Sequence, residues 1–374
     1  MAHRDPGWLM KTIGRSLGIL VALVAAFLLL KPVPIDPAPW TPTPNAGFTG
    51  PFAPNSLLTT ADTILMPGPG PEDLTVGPDG AIYAGLADGR LVRIDRTTGA
   101  VDSIATTGGR PLGLRFDHAG SLIVADAKRG LLAVSPAGVV RVLTDSGGGK
   151  RLNFTDALDI APDGTIWFSD ASERWDVSTG GLLDFWESRP TGRLLRYDPA
   201  AVTTTVALDS VDFANGVAIG PGGAWLLLNE TMAGRIRRYW LAGPRAGQSE
   251  IFIEGLPGVP DNIGYDGQGI FWVGLFAPRT PETTKIRAMS PFLRKVLYRI
   301  PERLRIREAA AYGMVIGIDT LGRVRYNLQD PTGRFFATTG GVVAGDTLYV
   351  STLTRNVVAR VALFRQPFGS IRSR

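Results

Sequence analysis

The chain has 374 residues, 44% hydrophobic and 20% charged, with 46 glycines and 28 prolines, a mix that can fill a large core and favours short strands joined by turns over long helices. It contains no cysteine and only two histidines, His3 and His118, which excludes disulfides, a thiolate nucleophile, a cysteine zinc site and any mechanism needing two imidazoles together. The net charge of +5 is concentrated at the N-terminus and in residues 279–307, without the aromatics or motifs of a nucleic-acid binder, so a membrane surface is the expected partner and nucleic acid is not.

Residues 16–30 read SLGILVALVAAFLLL, with Arg4, Lys11 and Arg15 before them and Lys31 after. The run is shorter than the roughly 20 residues of a usual span, and Ile13, Gly14 and the stems of Arg15 and Lys31 can extend it. A cleaved signal peptide is the competing reading, although no small-x-small cleavage site follows Leu30. Residues 1–31 are expected to be a cytoplasmic tip and signal anchor, with the positive flank placing the bulk of the chain on the periplasmic or extracellular side. Residues 32–55, rich in proline, threonine and asparagine, are expected to form a stiff extended linker.

From residue 56 onward a unit of about 40 residues recurs. It contains an apolar alternation, a turn of the D-G type, a second alternation, a short loop and a G-R-aliphatic-x-R-aliphatic-D strand, first seen as DLTVGPDGAIYAGLADGRLVRID from Asp73 to Asp95. Further copies begin at Leu112, Ala157, Asn215, Asn262 and Gly340. A fourth strand usually follows, as in VDSIAT from Val101 to Thr106, and four strands per unit is a propeller signature. The fold is therefore expected to be all-β, a six-bladed β-propeller over 56–374, with an N-terminal transmembrane helix and a short helical insertion in blade five. The sixth copy lacks its last strand, and DTILMP from Asp62 to Pro67 is available to pair there. A parallel β-helix or an open β-sandwich array is the alternative.

In a propeller the innermost strand of each blade starts near the central channel, so polar residues there converge. Glu72, Asp156, Asn215 and the pair Asp261–Asn262 stand just before or at the start of innermost strands. Three carboxylates and an amide carbonyl would suit Ca²⁺, a hard cation, and an uncompensated carboxylate trio would repel itself. Each residue alone has a structural explanation, such as a turn at Asn215–Gly216 or a bend at Asp156; the argument is their common phase in the repeat. Asp79–Gly80 and Asp163–Gly164 are read as hairpin tips, His118 as a turn residue, and the GGGK at 147–150 lacks the spacing of a phosphate loop.

Blade five is interrupted by a basic insertion, 279–311. Within it Phe292, Leu293, Val296, Leu297 and Ile300 recur every three or four residues, with Arg294, Lys295 and Arg299 between them and Pro301 as a stop, which predicts a short amphipathic helix. It reads either as a lid that also touches anionic lipid over 285–307 or as a solvated helix covering the propeller edge.

Those motifs carry a family resemblance. GRPLGLRF at 109–116, ADAKRGLL at 125–132, FTDALDIAPDGTIWFSDAS at 154–172, FANGVAIGP at 213–221 and LPGVPDNI at 256–263 resemble the strictosidine-synthase-like and adipocyte plasma-membrane-associated protein family of calcium-dependent propellers, whose superfamily includes the paraoxonases and gluconolactonases. The resemblance implies one Ca²⁺ held by Glu72, Asp156, Asn215 and Asp261, with Asn262 adjacent, and a hydrolase of small esters or lactones in which Asp261 or Asp156 activates water. It also exposes departures. Asp156 replaces the usual asparagine, Leu112 stands where paraoxonase-like enzymes have histidine, and Ala157 stands where they bind a second calcium. No glutamate follows Glu308, so the amine–aldehyde condensation of true strictosidine synthases is not expected. A non-catalytic propeller binding a ligand or protein at its channel mouth remains the other functional class.

Overall fold

In the computed structural model, which describes residues 6–305 and 311–363, the repeated unit becomes six four-stranded antiparallel sheets. The innermost strands are Leu74–Val76, Pro111–Phe116, Thr155–Ile160, Ala214–Ile219, Gly258–Tyr265 and Thr338–Ala344. Each hairpin from innermost to second strand closes on the expected turn chemistry. At Asp79–Gly80 the aspartate Oδ1 accepts from Ala81 N while Gly80 takes φ 77°, a left-handed value that L side chains avoid. The sixth sheet runs from Thr338–Ala344 through Thr347–Thr352 and Val357–Ala362 to Asp62–Leu65, so the strand nearest the N-terminus completes the last blade in antiparallel register, Asp62 opposite Arg360 and Leu65 opposite Val357.

Period-two alternation puts one apolar row on each side of a sheet, and both rows are used, because the blades pack face to face. Leu194 and Val211 of blade three meet Val217, Leu226 and Leu228 of blade four in one buried cluster, and comparable clusters lie between the other neighbours. Burying each such side chain is worth about 1.5–3 kcal/mol. The core is thus a ring of interfaces around an axis.

Five helices decorate this ring: α1 (Pro6–Leu30), α2 (Leu182–Glu187) in blade three, and α3 (Pro281–Ala288), α4 (Pro291–Tyr298) and α5 (Glu302–Arg305) in blade five. Within α1, Met10–Leu30 is apolar, unburied and, at 1.5 Å per residue, about 31 Å long, enough to cross a bilayer. Helices α2–α5 interrupt their blades between the second and third strands, and so sit at the end of the ring where the innermost strands begin.

The insertion differs from its expected form in two ways. It holds three short helices rather than one, with Ile306 and Arg307 outside the described residues. Its polarity is also partly inverted: Arg294 is fully buried, while Phe292 and Leu293 are 58% and 48% exposed. The cause is hydrogen bonding, since the Arg294 guanidinium donates to the carbonyls of Trp186, Glu187 and Ala38. Residues 32–55 are free of regular structure apart from a 3-10 turn at Gly50–Phe52 and an isolated bridge at Asn45, and lie against the propeller: Ile35 and Phe52 are buried, Asp36 N and Ala38 N donate to Glu187, and Thr43 Oγ1 donates to the Ala233 carbonyl.

Candidate metal centre

A β-bulge creates the site. In blade two Pro111 pairs with Asp126 and Leu114 with Val124, so three steps on the innermost strand oppose two on its neighbour. The same extra residue recurs in blades three to six, between Thr155 and Leu158, Ala214 and Val217, Pro260 and Ile263, and Thr338 and Gly341. A bulge bends the strand and re-aims one side chain. At the re-aimed position stand Leu112, Asp156, Asn215, Asp261 and Thr339, and Glu72 holds the equivalent place two residues before Leu74 in blade one. The residue after it is small or short where neighbouring bulges touch: a Cβ on Gly216 would lie 2.6 Å from both the Asp261 carbonyl oxygen and Ile263 N.

Glu72, Asp156, Asn215, Asp261 and Asn262 are all buried, between 2% and 6% exposed. Carboxylate oxygens of Glu72, Asp156 and Asp261 lie within 4.8 Å of one another. Asn262 stands beside them with its Nδ2 donating to Glu72 Oε1 at 2.7 Å and to the Glu72 carbonyl at 3.2 Å, which fixes the glutamate's rotamer. Around the ring Thr339 Oγ1 donates to the Glu72 carbonyl, Asn229 Nδ2 to the Asp261 carbonyl and Thr231 Oγ1 to the Pro260 carbonyl. The backbone behind the carboxylates is therefore held by side chains of other strands.

The electrostatics are severe. Burial first, then the negative charges of Asp261 and Asp156, hold the Glu72 carboxyl well above the usual range. Burial and the nearby Asp261 do the same to Asp156. Burial pushes Asp261 to about 7, against the downward pull of hydrogen bonding with Asn215 and Glu72. Four buried oxygens in this group, Glu72 Oε2, Asp156 Oδ1, Asn215 Oδ1 and Asp261 Oδ1, have no hydrogen-bond partner. Leaving a buried acceptor unpaired costs about 1–3 kcal/mol, and four together make this cluster a candidate site for a cation. All four are hard oxygen donors, the type that Ca²⁺ takes in sets of six to eight with water and substrate completing the shell. The residues present fit that ion.

Comparison with known proteins then bears on the family. Residues 156–244 match the strictosidine synthase family model, and residues 50–94 match the strictosidine synthase-like N-terminal model. Strictosidine synthase-like protein 4 of Arabidopsis thaliana is 37% identical over 307 residues, 79% of this chain and 80% of that one. This chain belongs to the strictosidine synthase-like family. The adipocyte plasma membrane-associated protein of Homo sapiens is 32% identical over 346 residues, covering 85% of this chain and 81% of its own. Among solved structures, a gluconolactonase from Xanthomonas campestris superposes with a TM-score of 0.59 at 17% identity, over 89% of this chain and 99% of that one. A regucalcin from Agrobacterium tumefaciens, described as a calcium-binding protein, gives 0.53 at 16% identity over 86% and 95%. At such identities these structures establish the fold that the family member shares with them.

Other residues at the site had escaped the sequence reading. Arg110, 7% exposed, donates from Nη1 to the Gly70 carbonyl at 2.9 Å; burial pulls its pKa down while Glu72 and Asp156 pull it up. It stands two residues before Leu112, the blade-two counterpart of Glu72, so only its closeness to the start of that innermost strand could have signalled it. Asp126 and Asp170, at the ends of second strands, accept from the backbone N–H of Arg110 and Phe154 and so fix the loops entering two innermost strands. One step further along the channel Arg115 bridges Asp73 at 2.8 Å and Asp159 at 3.7 Å, and beyond it a cavity of ≈ 400 Å³ opens at the far end.

Proposed function

We propose that this protein is a membrane-anchored, calcium-dependent hydrolase of small esters or lactones. The observation that carries the reading is the set of four unpartnered buried oxygens on Glu72, Asp156, Asn215 and Asp261, three of them from carboxylates packed within 4.8 Å. The likeness of the fold to a gluconolactonase and to a calcium-binding regucalcin supports the same direction.

Glu72, Asp156, Asn215 and Asp261 would hold the ion, with Asn262 orienting Glu72. When bound, Ca²⁺ supplies Lewis acidity toward the substrate carbonyl. One of the two aspartates, Asp261 or Asp156, serves as base and takes a proton from the attacking water, while the other stays a ligand to the ion. Water oxygen bonds to the acyl carbon, the bond to the leaving alkoxide or ring oxygen breaks, and the proton held by the aspartate passes to that oxygen. Buried Arg110 adds a fixed positive charge near these carboxylates. Helix α1 would anchor the chain, with the propeller on the periplasmic or extracellular side.

The test is hydrolysis of aryl esters and lactones by the purified full chain, with and without chelator, alongside metal analysis. The reading expects one tightly held calcium and activity lost in chelator and in Glu72→Gln. Activity indifferent to both would sink it. One observation favours a second reading, ligand binding without catalysis: Leu112 occupies the one bulge position in the ring that is neither acidic, amide nor hydroxyl, so that position offers no proton-transfer group. Calcium binding with no turnover of any ester or lactone would favour that second reading.

A further inference from the structure

Helix α4 is attached to the body through buried Arg294 and half-buried Val296, Leu297 and Tyr298, and its first turn presents Phe292 and Leu293 outward. Phe292 and Leu293 are 58% and 48% exposed, and Leu304 on α5 is 73% exposed. The buried Arg294, hydrogen-bonded to carbonyls of α2 and the linker, fixes this orientation, and Ser290 caps α4 by accepting from Leu293 N. The stretch 279–305 carries eight arginines and lysines against two glutamates; Arg287 and Arg294 are buried and Lys295 pairs with Asp36, and the remaining cations leave a basic excess around the apolar tips.

The location of this patch is set by the anchor. The Arg299 Nε donates to the Lys31 carbonyl, one residue past the end of α1, so α4 lies at the level where the apolar helix stops. The chain cannot swing freely from there, because Ile35 is buried four residues later and Asp36 pairs with Lys295 at 3.1 Å and Arg189 at 2.8 Å. A span ending at Lys31 thus brings the face bearing α2–α5 to the headgroup region.

We propose that this face docks on the bilayer that α1 crosses, with Phe292, Leu293 and Leu304 inserted among acyl chains and the basic insertion lying over anionic headgroups. The channel mouth with Glu72, Asp156 and Asp261 opens at the same end of the blades, so docking turns the mouth toward the membrane. The proposal rests on α1 being a membrane anchor and is independent of catalysis.

The natural absence of cysteine permits a direct test. Full-length Phe292→Cys, Leu304→Cys, Leu20→Cys and Leu321→Cys variants are spin-labelled and reconstituted at high lipid-to-protein ratio in phosphatidylcholine vesicles, with and without phosphatidylserine. Leu20 reports the anchor, and Leu321, 70% exposed in a hairpin at the opposite end of blade five, reports open water. The expected result is an oxygen-over-nickel-chelate accessibility ratio at 292 and 304 several-fold above that at 321, rising further with phosphatidylserine. Lipid contact at 20 with water at 292 and 304 overturns this proposal alone. Water at 20 and 292 overturns the anchor and this proposal with it. Spin–spin broadening at 292 with no oxygen preference shows a second copy of the chain on the patch and overturns it as well.

Discussion

Two levels of the central channel hold buried acids, and they are built on opposite plans. At the mouth, Glu72, Asp156 and Asp261 crowd together with unpartnered oxygens. One step inward, Asp73 and Asp159 are fully engaged: Asp73 Oδ2 takes Arg115 Nη1 at 2.8 Å and Leu114 N, and Asp159 takes Ile219 N at 2.7 Å and Ile160 N. Arg115 itself, although burial pulls its pKa down, is carried above its ordinary value by Asp73 and Asp159. The inner acids are paired directly with their guanidinium, whereas at the outer level the nearby Arg110 donates to the Gly70 carbonyl and forms no ion pair with the three carboxylates. The same channel thus carries one neutralised set of acids and one that keeps unpartnered oxygens.

The sharpest way to break this comparison is to remove the inner cation. Arg115→Met leaves buried Asp73 and half-buried Asp159 without a counter-charge and is expected to destabilise by up to about 3–5 kcal/mol in urea unfolding, the cost of breaking a fully buried pair. A loss under about 1 kcal/mol would mean that the inner level is solvated and the contrast is false. Next in size is calcium itself. At a free concentration about 100-fold above the dissociation constant, the wild type should gain about 2.7 kcal/mol, and Glu72→Gln should gain much less.

Gly216→Ala tests whether the bulges set the geometry. Its Cβ would meet the Asp261 carbonyl and Ile263 N at 2.6 Å, so a loss of about 1–3 kcal/mol is expected, with calcium affinity falling in the same variant. Unchanged affinity by titration calorimetry would detach the bulge from the site. The most gradual effect, smallest per unit of the variable changed, is the pH dependence. Asp261 is raised to about 7 in the folded chain and titrates near 3.8 when unfolded. Between those values the metal-free native state holds a proton that the unfolded state has released. Its stability therefore falls as pH rises from about 4 through 7, by at most about 1.4 kcal/mol per pH unit from this group. Added calcium should oppose that fall, and thermal melts at pH 5.5 and 8 with and without the ion would show the crossing.

Much of this was legible in the chain. Six repeats gave the blades, and Asp62–Leu65 stood out as the missing strand because the sixth copy ended one short. Glu72, Asp156, Asn215 and Asp261 were found through phase alone, since equal offsets in equal units must end at equal radii. The bulges were not legible: an extra residue leaves no mark when the alternation around it is apolar on both sides, as in Leu112–Gly113–Leu114. Arginine was the other blind spot. Arg110, Arg115 and Arg294 were each one basic residue among many, and each is drawn inward, Arg110 and Arg294 to full burial, by carbonyls or carboxylates that arrive from distant sequence. A guanidinium's depth is decided by remote acceptors, so local periodicity placed Arg294 on a polar face that the fold does not have.

The seam in the last blade also has a kinetic consequence. Asp62–Leu65 precedes every blade in the chain, yet its partner Val357–Ala362 follows all the others, so it must wait for the intervening blades to be made. Until that moment the growing arc has two raw edges, and it is then most open to strand exchange with a neighbour. Closure is a single late event that locks the circle, and shortening the polypeptide before residue 357 would remove the latch while leaving every other blade's strands in place.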